Sequence, residues 1–312
     1  MTIVGSSNAR PGLEAGMEVL RRGGSALDAV EAAICVVESN PEDHTVGLGG
    51  LPNILGVVEL DASIMDGHTL AAGAVAAVRG FEHPIAIARR VLTELPHVLL
   101  VAEGAERFAR ECGFAEVELL TEEAGAIYAR GLKTVHSSTE GVEPVLAAVA
   151  ARMSADPERA AGKDAGTVNV LSLDSRGHLA SGVSTSGWAW KYPGRVGDSA
   201  IIGAGNYCDD RFGAATCTGR GEMAMRTSLA HSVIAHMRVG ASASVAGVQA
   251  MRALERLVDP YFGALHCIVL DPRGVHAGFS TRADTTYVYM DETTSKVRET
   301  ARTYVPVVGR MV

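Results

Sequence analysis

The sequence lacks the features that mark membrane, nucleic-acid-binding and disulfide-rich proteins. No uncharged apolar run reaches the roughly 18 residues that a membrane span needs. The formal net charge is −8, and no basic block provides the positive face of a phosphate binder. The five cysteines are widely spaced without a C-x-x-C pair, and no basic, then apolar leader opens the chain. We therefore expect a cytoplasmic protein with reduced thiols that binds neither nucleic acid nor membranes.

Several well-known catalytic motifs are also missing. The chain contains no G-x-S-x-G, no Walker-type phosphate loop, no H-E-x-x-H and no EF-hand loop. The glycines at 47–50 follow a predicted helix and precede a strand, which is the wrong context for dinucleotide binding. His231 and His236 are five residues apart and do not share a helix face. We therefore predict that the protein needs neither a metal nor an organic cofactor.

What the sequence does contain is two blocks of strands and helices around one polar linker at 154–166. Because most predicted strands follow one another as hairpins, the pattern favours an α+β fold with antiparallel sheets and helices outside them. A polar tail from Asp291 onward is predicted to be peripheral. The predicted strands are 2–6, 54–59, 62–66, 69–78, 167–173, 178–185, 265–271, 275–280 and 285–290. The predicted helices are 12–22, 26–38, 84–94, 104–112, 121–131, 141–153, 219–239 and 242–258.

The end of the linker, Gly166-Thr167, offers an unusual chemical possibility. A threonine that opens a strand is ordinarily only a β-branched strand residue. If the bond before Thr167 breaks, however, this residue gains an α-amine that titrates near pH ~8. That amine can serve as the general base that a weak hydroxyl nucleophile needs, without a histidine or aspartate partner.

Ten segments make this possibility concrete, because they closely resemble the glycosylasparaginase branch of the asparaginase family, which belongs to the N-terminal nucleophile (Ntn) hydrolases. The resemblance runs from about residue 3 to about residue 290. The matching segments are 23–30 (GGSALDAV), 45–50 (TVGLGG), 60–67 (LDASIMDG), 73–75 (GAV), 96–100 (PHVLL), 184–187 (STSG), 193–199 (PGRVGDS), 203–205 (GAG), 209–210 (DD) and 214–221 (AATCTGRG).

The resemblance implies a four-layer αββα sandwich in which residues 1–312 form one domain. It also implies self-cleavage between Gly166 and Thr167 into fragments 1–166 and 167–312, and a homodimer of the cleaved unit. In the roles that it implies, Thr167 is the nucleophile, Thr185 supports it, and Thr218 with Gly219 forms the oxyanion hole. Arg195 binds the substrate α-carboxylate, Asp198 binds its α-ammonium, and Thr45 lies near the substrate.

Elementary chemistry agrees with these residue types. A guanidinium grips a carboxylate with two parallel hydrogen bonds, and an ammonium group requires an ionised carboxylate opposite it. Arg195 and Asp198 are three residues apart, so one turn can direct both at a small zwitterion; alternatively, they pair with each other. Thr218-Gly219 at the start of a helix would supply a hydroxyl and an unpaired N–H to a developing oxyanion, or else form a plain cap.

Two departures from the glycosylasparaginase pattern leave the substrate open. Residues 165–166 are Ala-Gly where the branch has His-Asp, which resembles plant-type asparaginases and isoaspartyl peptidases. Ser7-Asn8 stands where the branch has Trp-Asn. Motif likeness favours N4-(β-N-acetylglucosaminyl)-L-asparagine as substrate, with free asparagine or β-aspartyl dipeptides as the alternative. An uncleaved, inactive amino-acid-binding protein is the alternative of another class.

Trp188 and Trp190 alternate on a predicted strand edge. We predict packing or interface roles for them.

Overall fold

A computed structural model describes residues 1–133, 145, 147–150 and 166–307 of the chain. The predicted linker therefore lies outside the described residues except for Gly166, and so does most of the predicted helix 141–153.

The described strands form two sheets, and nearly all neighbouring strands are antiparallel, as predicted. Two pairs at sheet edges, β3–β4 and β10–β13, are parallel. The larger sheet has the order β12-β11-β1-β5-β6-β2-β3-β4, and the smaller one β13-β10-β9-β8-β7. The strands are β1 (Thr2–Ser6), β2 (Leu60–Asp66), β3 (Ala72–Val78), β4 (Leu99–Val101), β5 (Val168–Leu173), β6 (Leu179–Thr185), β7 (Asn206–Asp209), β8 (Gly213–Gly219), β9 (Leu265–Leu270), β10 (His276–Ser280), β11 (Thr286–Asp291), β12 (Arg298–Ala301) and β13 (Thr303–Tyr304).

The helices follow the predicted apolar spacing closely. The second helix begins where Ser25 accepts a hydrogen bond from the Asp28 N–H and the Asp28 side chain accepts one from the Ser25 N–H, a reciprocal cap. The described α-helices are α1 (Arg10–Arg21), α2 (Ala26–Glu38), α3 (Pro84–Glu94), α4 (Ala102–Glu111), α5 (Glu122–Lys133), α6 (Gly221–Thr227), α7 (Leu229–Arg238) and α8 (Ala243–Arg252).

Three apolar clusters hold these elements together. One lies between the larger sheet and helices α1–α3, and includes Ile34, Ile64 and Ile85. The second lies between the smaller sheet and helices α7 and α8. The third joins the two sheets through residues such as Leu171 and Ile268. Residues of both sheets therefore pack against helices in the first two clusters and against one another in the third.

Three sequence expectations are wrong in detail. Residues 54–59 form no strand, because the Asn53 side chain accepts the N–H groups of Leu55 and Val57 in a turn. No strand was predicted in the glycine-rich stretch 187–221, but this stretch contains β7 and β8. The predicted helix 219–239 breaks at Ser228, whose φ is +47°. The tail lies at the periphery, as predicted, but it is regular, since β12 and β13 add an edge strand to each sheet.

Among the described residues, no helix combines the length and apolar character required to cross a membrane.

Candidate active site

Thr167 lies directly before β5, a central strand of the larger sheet, and two cavities meet at it. Its residue surface is only 6% exposed. The preceding carbonyl, that of Gly166, accepts a hydrogen bond of 2.7 Å from the Thr185 hydroxyl. The Gly187 N–H in turn donates to that hydroxyl at 2.9 Å, which fixes its orientation. In the uncleaved chain, the Gly166 carbonyl is therefore polarised by a positioned donor.

Gly166 is glycine because no side chain fits there. A Cβ atom at this position would lie 2.3 Å from Thr45 Oγ1 and 2.6 Å from Thr45 Cβ. The φ angle of Gly166 is outside the left-handed region, so the backbone freedom of glycine is not what the site uses. Asp43 holds Thr45 from the other side, accepting from its hydroxyl at 2.5 Å and its N–H at 3.0 Å. The Thr45 side chain therefore fills the space next to the predicted cleavage point.

The first cavity is narrow, with a volume of about 10 Å³, and it contains both predicted substrate-binding charges. Arg195 donates to Glu222 Oε1 from Nε at 3.0 Å and from Nη2 at 2.8 Å. Among the described residues Arg195 forms no ion pair with Asp198, so the alternative in which these two residues pair does not hold. The narrow cavity is lined by Gly166, Thr167, Thr185, Gly187, Trp188, Arg195, Gly197, Asp198, Ser199 and Gly219.

Asp198 is almost fully buried in this cavity. Its Oδ2 atom has no hydrogen-bond partner. Burial raises the pKa of this carboxyl to about 7, although the nearby positive charge of Arg195 lowers it. A buried acid without a partner is costly, so an ammonium group that entered the cavity would restore the ionised form.

The second cavity is wide, with a volume of about 470 Å³, and Thr167 belongs to its lining as well. It combines residues from both ends of the chain with residues of the predicted site. Its lining is Ser6, Ser7, Asn8, Asp43, Thr45, Gly166, Thr167, Thr218, Gly219, Ala264, His266, Asp284, Thr285, Thr286 and Arg302.

Thr218 and Gly219 end strand β8 and do not open a helix, which corrects the predicted setting. Helix α6 begins only at Gly221. Gly219 has a φ of +115°, and a Cβ atom there would lie 2.3 Å from the Ala264 carbonyl oxygen. A glycine is therefore required for both conformation and space. The two residues still line the wide cavity together with Thr167.

A buried hydrogen-bond network that sequence reasoning missed supports Thr218. Asn169 donates to Thr218 Oγ1 at 3.1 Å, while its Oδ1 accepts from the Ser6 N–H at 3.1 Å. Ser6 donates to Asn8 at 2.6 Å, and Asn8 donates to Asp43 at 2.9 Å. The network connects the predicted oxyanion threonine with the residues that hold Thr45. The only sequence signal was Asn169, a polar residue two positions after the nucleophile on an apolar strand.

Trp188 and Trp190 follow the end of β6 and are not on a strand edge. Trp188 lines the narrow cavity, and the guanidinium groups of Arg195 and Arg220 lie 5.0 and 4.6 Å from its ring centre. Trp190 is buried, and its Nε1 donates to the Tyr128 carbonyl. Trp188 therefore lines the candidate active site. Trp190 has a packing role in the loop after β6, as predicted.

Potential metal ligands converge at two places among the described residues, Cys35–Glu38–His83 and His68–His178–Asp210. Neither group lines either cavity. The structure thus brings the other seven predicted site residues, from Thr45 to Gly219, around Thr167 and away from these groups.

Comparison with known proteins gives a consistent family. A family model described as asparaginase matches residues 6–299. An isoaspartyl peptidase/L-asparaginase of Mus musculus is 41% identical over 228 residues, which cover 72% of this chain and 64% of that protein. An N(4)-(β-N-acetylglucosaminyl)-L-asparaginase of Elizabethkingia miricola is 38% identical, covering 80% and 68%. A plant-type L-asparaginase of Pyrococcus furiosus is 38% identical, covering 86% and 84%.

Proposed function

Because the chain belongs to the asparaginase family of hydrolases that act on amide bonds, we propose that it is an amidohydrolase that activates itself by cleavage before Thr167. The substrate is an asparagine derivative whose side-chain amide is hydrolysed to release aspartate. The observation that carries this proposal is the hydrogen bond from Thr185 Oγ1 to the Gly166 carbonyl. It polarises one particular peptide bond next to a hydroxyl residue.

Self-cleavage would proceed as an acyl shift from nitrogen to oxygen. Thr167 Oγ1 attacks the Gly166 carbonyl carbon, the C–N bond breaks, and an ester forms while the α-amine of Thr167 is released. Water then hydrolyses the ester, leaving a carboxylate on Gly166 and a free hydroxyl on Thr167. The products are fragments 1–166 and 167–312 of one folded unit.

Substrate hydrolysis would use the same hydroxyl on an external amide. The α-amine of Thr167 takes the proton from Oγ1 as this oxygen attacks the side-chain amide carbon, and the amine or ammonia leaves with a proton. The Thr218 hydroxyl and the Gly219 N–H stabilise the oxyanion. Water then hydrolyses the β-aspartyl ester and releases aspartate.

The charged groups of the narrow cavity match the α-carboxylate and α-ammonium of the aspartyl group, which all these substrates share. Arg195 would exchange its bonds with Glu222 for the substrate α-carboxylate, and Asp198 would bind the α-ammonium. The wide cavity would hold the leaving group, which is a sugar amine, an α-amino acid or ammonia. The relatives carry names from both substrate classes, so the leaving group is decided by features of this chain.

We also propose that the fold is the four-layer αββα sandwich. Its support is that residues of each sheet pack against helices and against the other sheet. In such an arrangement Thr167 lies at an end of the sheet-to-sheet layer, where both cavities can open beside it.

Denaturing mass spectrometry of purified protein tests the activation step. We expect two masses that correspond to cleavage between residues 166 and 167. Thr167→Ala should give one full-length mass and no hydrolysis, whereas Thr303→Ala, at an exposed position on β13, should cleave normally. A wild-type chain that stays whole after long incubation contradicts the proposal and favours the uncleaved amino-acid-binding protein.

Aspartate release from free asparagine, a β-aspartyl dipeptide and N4-(β-N-acetylglucosaminyl)-L-asparagine tests the reaction. At least one should be hydrolysed by the cleaved protein. A cleaved protein that is inert towards all three contradicts the proposed substrate class but not self-cleavage.

A further inference from the structure

Arg302 places a guanidinium in the wall of the wide cavity, in a segment that sequence reasoning had assigned to a peripheral tail. It lies between β12 of the larger sheet and β13 of the smaller sheet. Its N–H donates to the Thr285 carbonyl at 2.8 Å, and its Nη1 donates to the Thr286 carbonyl. These contacts fix Arg302 at the point where the chain crosses from one sheet to the other.

The charge of Arg302 is not neutralised by the described part of the chain. No carboxylate of the described residues lies within ion-pair distance of its guanidinium, and its buried Nε has no hydrogen-bond partner. Burial lowers the pKa of Arg302 to about 10, so it remains a cation at neutral pH. The guanidinium has five N–H donors, of which the protein uses one.

The other ionisable groups of this cavity do not compete for an anion. Burial lowers the pKa of His266 to about 3, so this residue is neutral. Asp43 already accepts hydrogen bonds from Asn8 and Thr45. Asp284 is exposed to solvent. The buried Thr285 hydroxyl, which also has no partner, adds a second polar group beside Arg302.

We propose that Arg302 is a specificity residue that binds the α-carboxylate of an amino-acid leaving group, so that the preferred substrates are β-aspartyl dipeptides. This inference rests on the proposed function. In a β-aspartyl dipeptide, the nitrogen of the scissile amide is bonded to a carbon that carries a carboxylate. Ammonia and a sugar amine carry no anionic group, so neither would use an unpaired guanidinium.

The sharpest test compares two substrates on the wild-type, self-cleaved enzyme. β-Aspartyl-alanine and β-aspartyl-alaninamide differ only in the terminal carboxylate. We expect kcat/KM to be roughly tenfold or more higher for the acid, because a hydrogen bond between charged groups is lost with the amide. Equal kcat/KM values for the two, or hydrolysis of glycosylasparagine with neither dipeptide cleaved, would overturn the proposal.

The variant Arg302→Gln should reduce kcat/KM for β-aspartyl-alanine to the level of the alaninamide, and leave free asparagine hydrolysis unchanged. Asp284→Asn, which removes a charge from the same cavity, should preserve the preference for the acid. A loss of asparagine hydrolysis together with dipeptide hydrolysis in Arg302→Gln would indicate a structural role and contradict the assignment. If the wild-type enzyme hydrolyses none of these amides, the proposed function itself fails, and the inference fails with it. The substrate comparison does not depend on the variant's folding.

Discussion

The two cavities that Thr167 lines differ in size and in how their polar groups are arranged. The narrow one holds about 10 Å³ and concentrates Arg195, Asp198 and Trp188. The wide one holds about 470 Å³, and its charges are spread between its interior and its exposed rim. The first has room for about one water molecule, so a substrate group must displace part of its wall, as when Arg195 leaves Glu222, whereas the second can accept a larger group. We infer that the narrow cavity defines the aspartyl part of the substrate and the wide cavity selects the leaving group.

The residues that supply each cavity differ in the same way. In the narrow cavity, most side chains come from the short stretch between β6 and β8, and their relative positions are set by local turns. In the wide cavity, Ser6, Asp43, His266 and Arg302 come from distant parts of the chain, which the pairing of the strands brings together. The wide cavity is therefore assembled by long-range pairing, whereas the narrow one is set mainly by local turns.

The largest expected effect comes from a substitution of Thr185, whose hydroxyl donates to the carbonyl of Gly166, a residue that lines both cavities. Thr185→Val removes the hydroxyl that donates to the Gly166 carbonyl while keeping the side-chain shape. We expect self-cleavage to slow by roughly 10²–10³, as when one oxyanion donor is lost. The rate is measured by following the full-length mass over time.

Ser186→Ala is the matched control for Thr185→Val. The Ser186 hydroxyl is the next one along the chain, is buried, and has no partner, so its removal should leave the cleavage rate unchanged. An undiminished cleavage rate in Thr185→Val would show that the hydrogen bond to Gly166 plays no part in activation.

The second largest effect tests the narrow cavity alone. Arg195→Lys keeps the charge but loses the two-pronged grip on a carboxylate. We expect kcat/KM to fall by about 10², because hydrogen bonds to charged groups contribute ~1.5–3 kcal/mol. Self-cleavage should persist, since Arg195 makes no contact with the Gly166 carbonyl.

How the loss of kcat/KM in Arg195→Lys compares between substrates is more informative than the size of the loss. If the narrow cavity binds the shared aspartyl group, Arg195→Lys should reduce hydrolysis of asparagine, a β-aspartyl dipeptide and glycosylasparagine by the same factor. Losses that differ strongly between these substrates would contradict the inference that the narrow cavity binds the aspartyl group and the wide cavity the leaving group. Glu222→Gln serves as the comparison variant, because it weakens the group that competes with the substrate for Arg195 and should lower KM.

The narrow cavity was largely predictable from sequence, and the wide one was not. The stretch 193–199 carries the charges and glycines of one turn, so the positions of Arg195 and Asp198 follow from local order. Glu222 was missed because it pairs with Arg195 across the start of a helix. The reason for a glycine at position 166 was not predictable, since the close approach of Thr45 is visible only in three dimensions.

The fold shows the same limit. Helix α2 was predicted to the residue, because its cap and apolar spacing are local. Strands β7 and β8 were missed, because the stretch that contains them is rich in glycine and small residues, and because β8 pairs on one side with β9, which is far along the chain. The network through Asn169 and Ser6 depends on the pairing of β1 with β5, and Arg302 depends on the crossing between the sheets. Long-range pairing is therefore what sequence reasoning could not supply.

The smallest expected effect is a pH dependence that originates in the narrow cavity. Burial raises the pKa of Asp198 to about 7, so its carboxyl is mostly protonated, and unable to bind an ammonium group, at lower pH. Because the Thr167 amine must also lose a proton, we expect kcat/KM to rise by up to about a hundredfold per pH unit below about 7, and by up to about tenfold per unit from there to about 8. The bound ammonium would lower the pKa of Asp198, so kcat should lack the steeper rise and keep only the titration of the Thr167 amine at about pH 8. Profiles of both constants on one substrate separate the two groups. The same steeper rise in kcat would assign it to the nucleophile and leave Asp198 without a role in titration; Asp198→Asn should remove the steeper rise and keep kcat/KM low throughout.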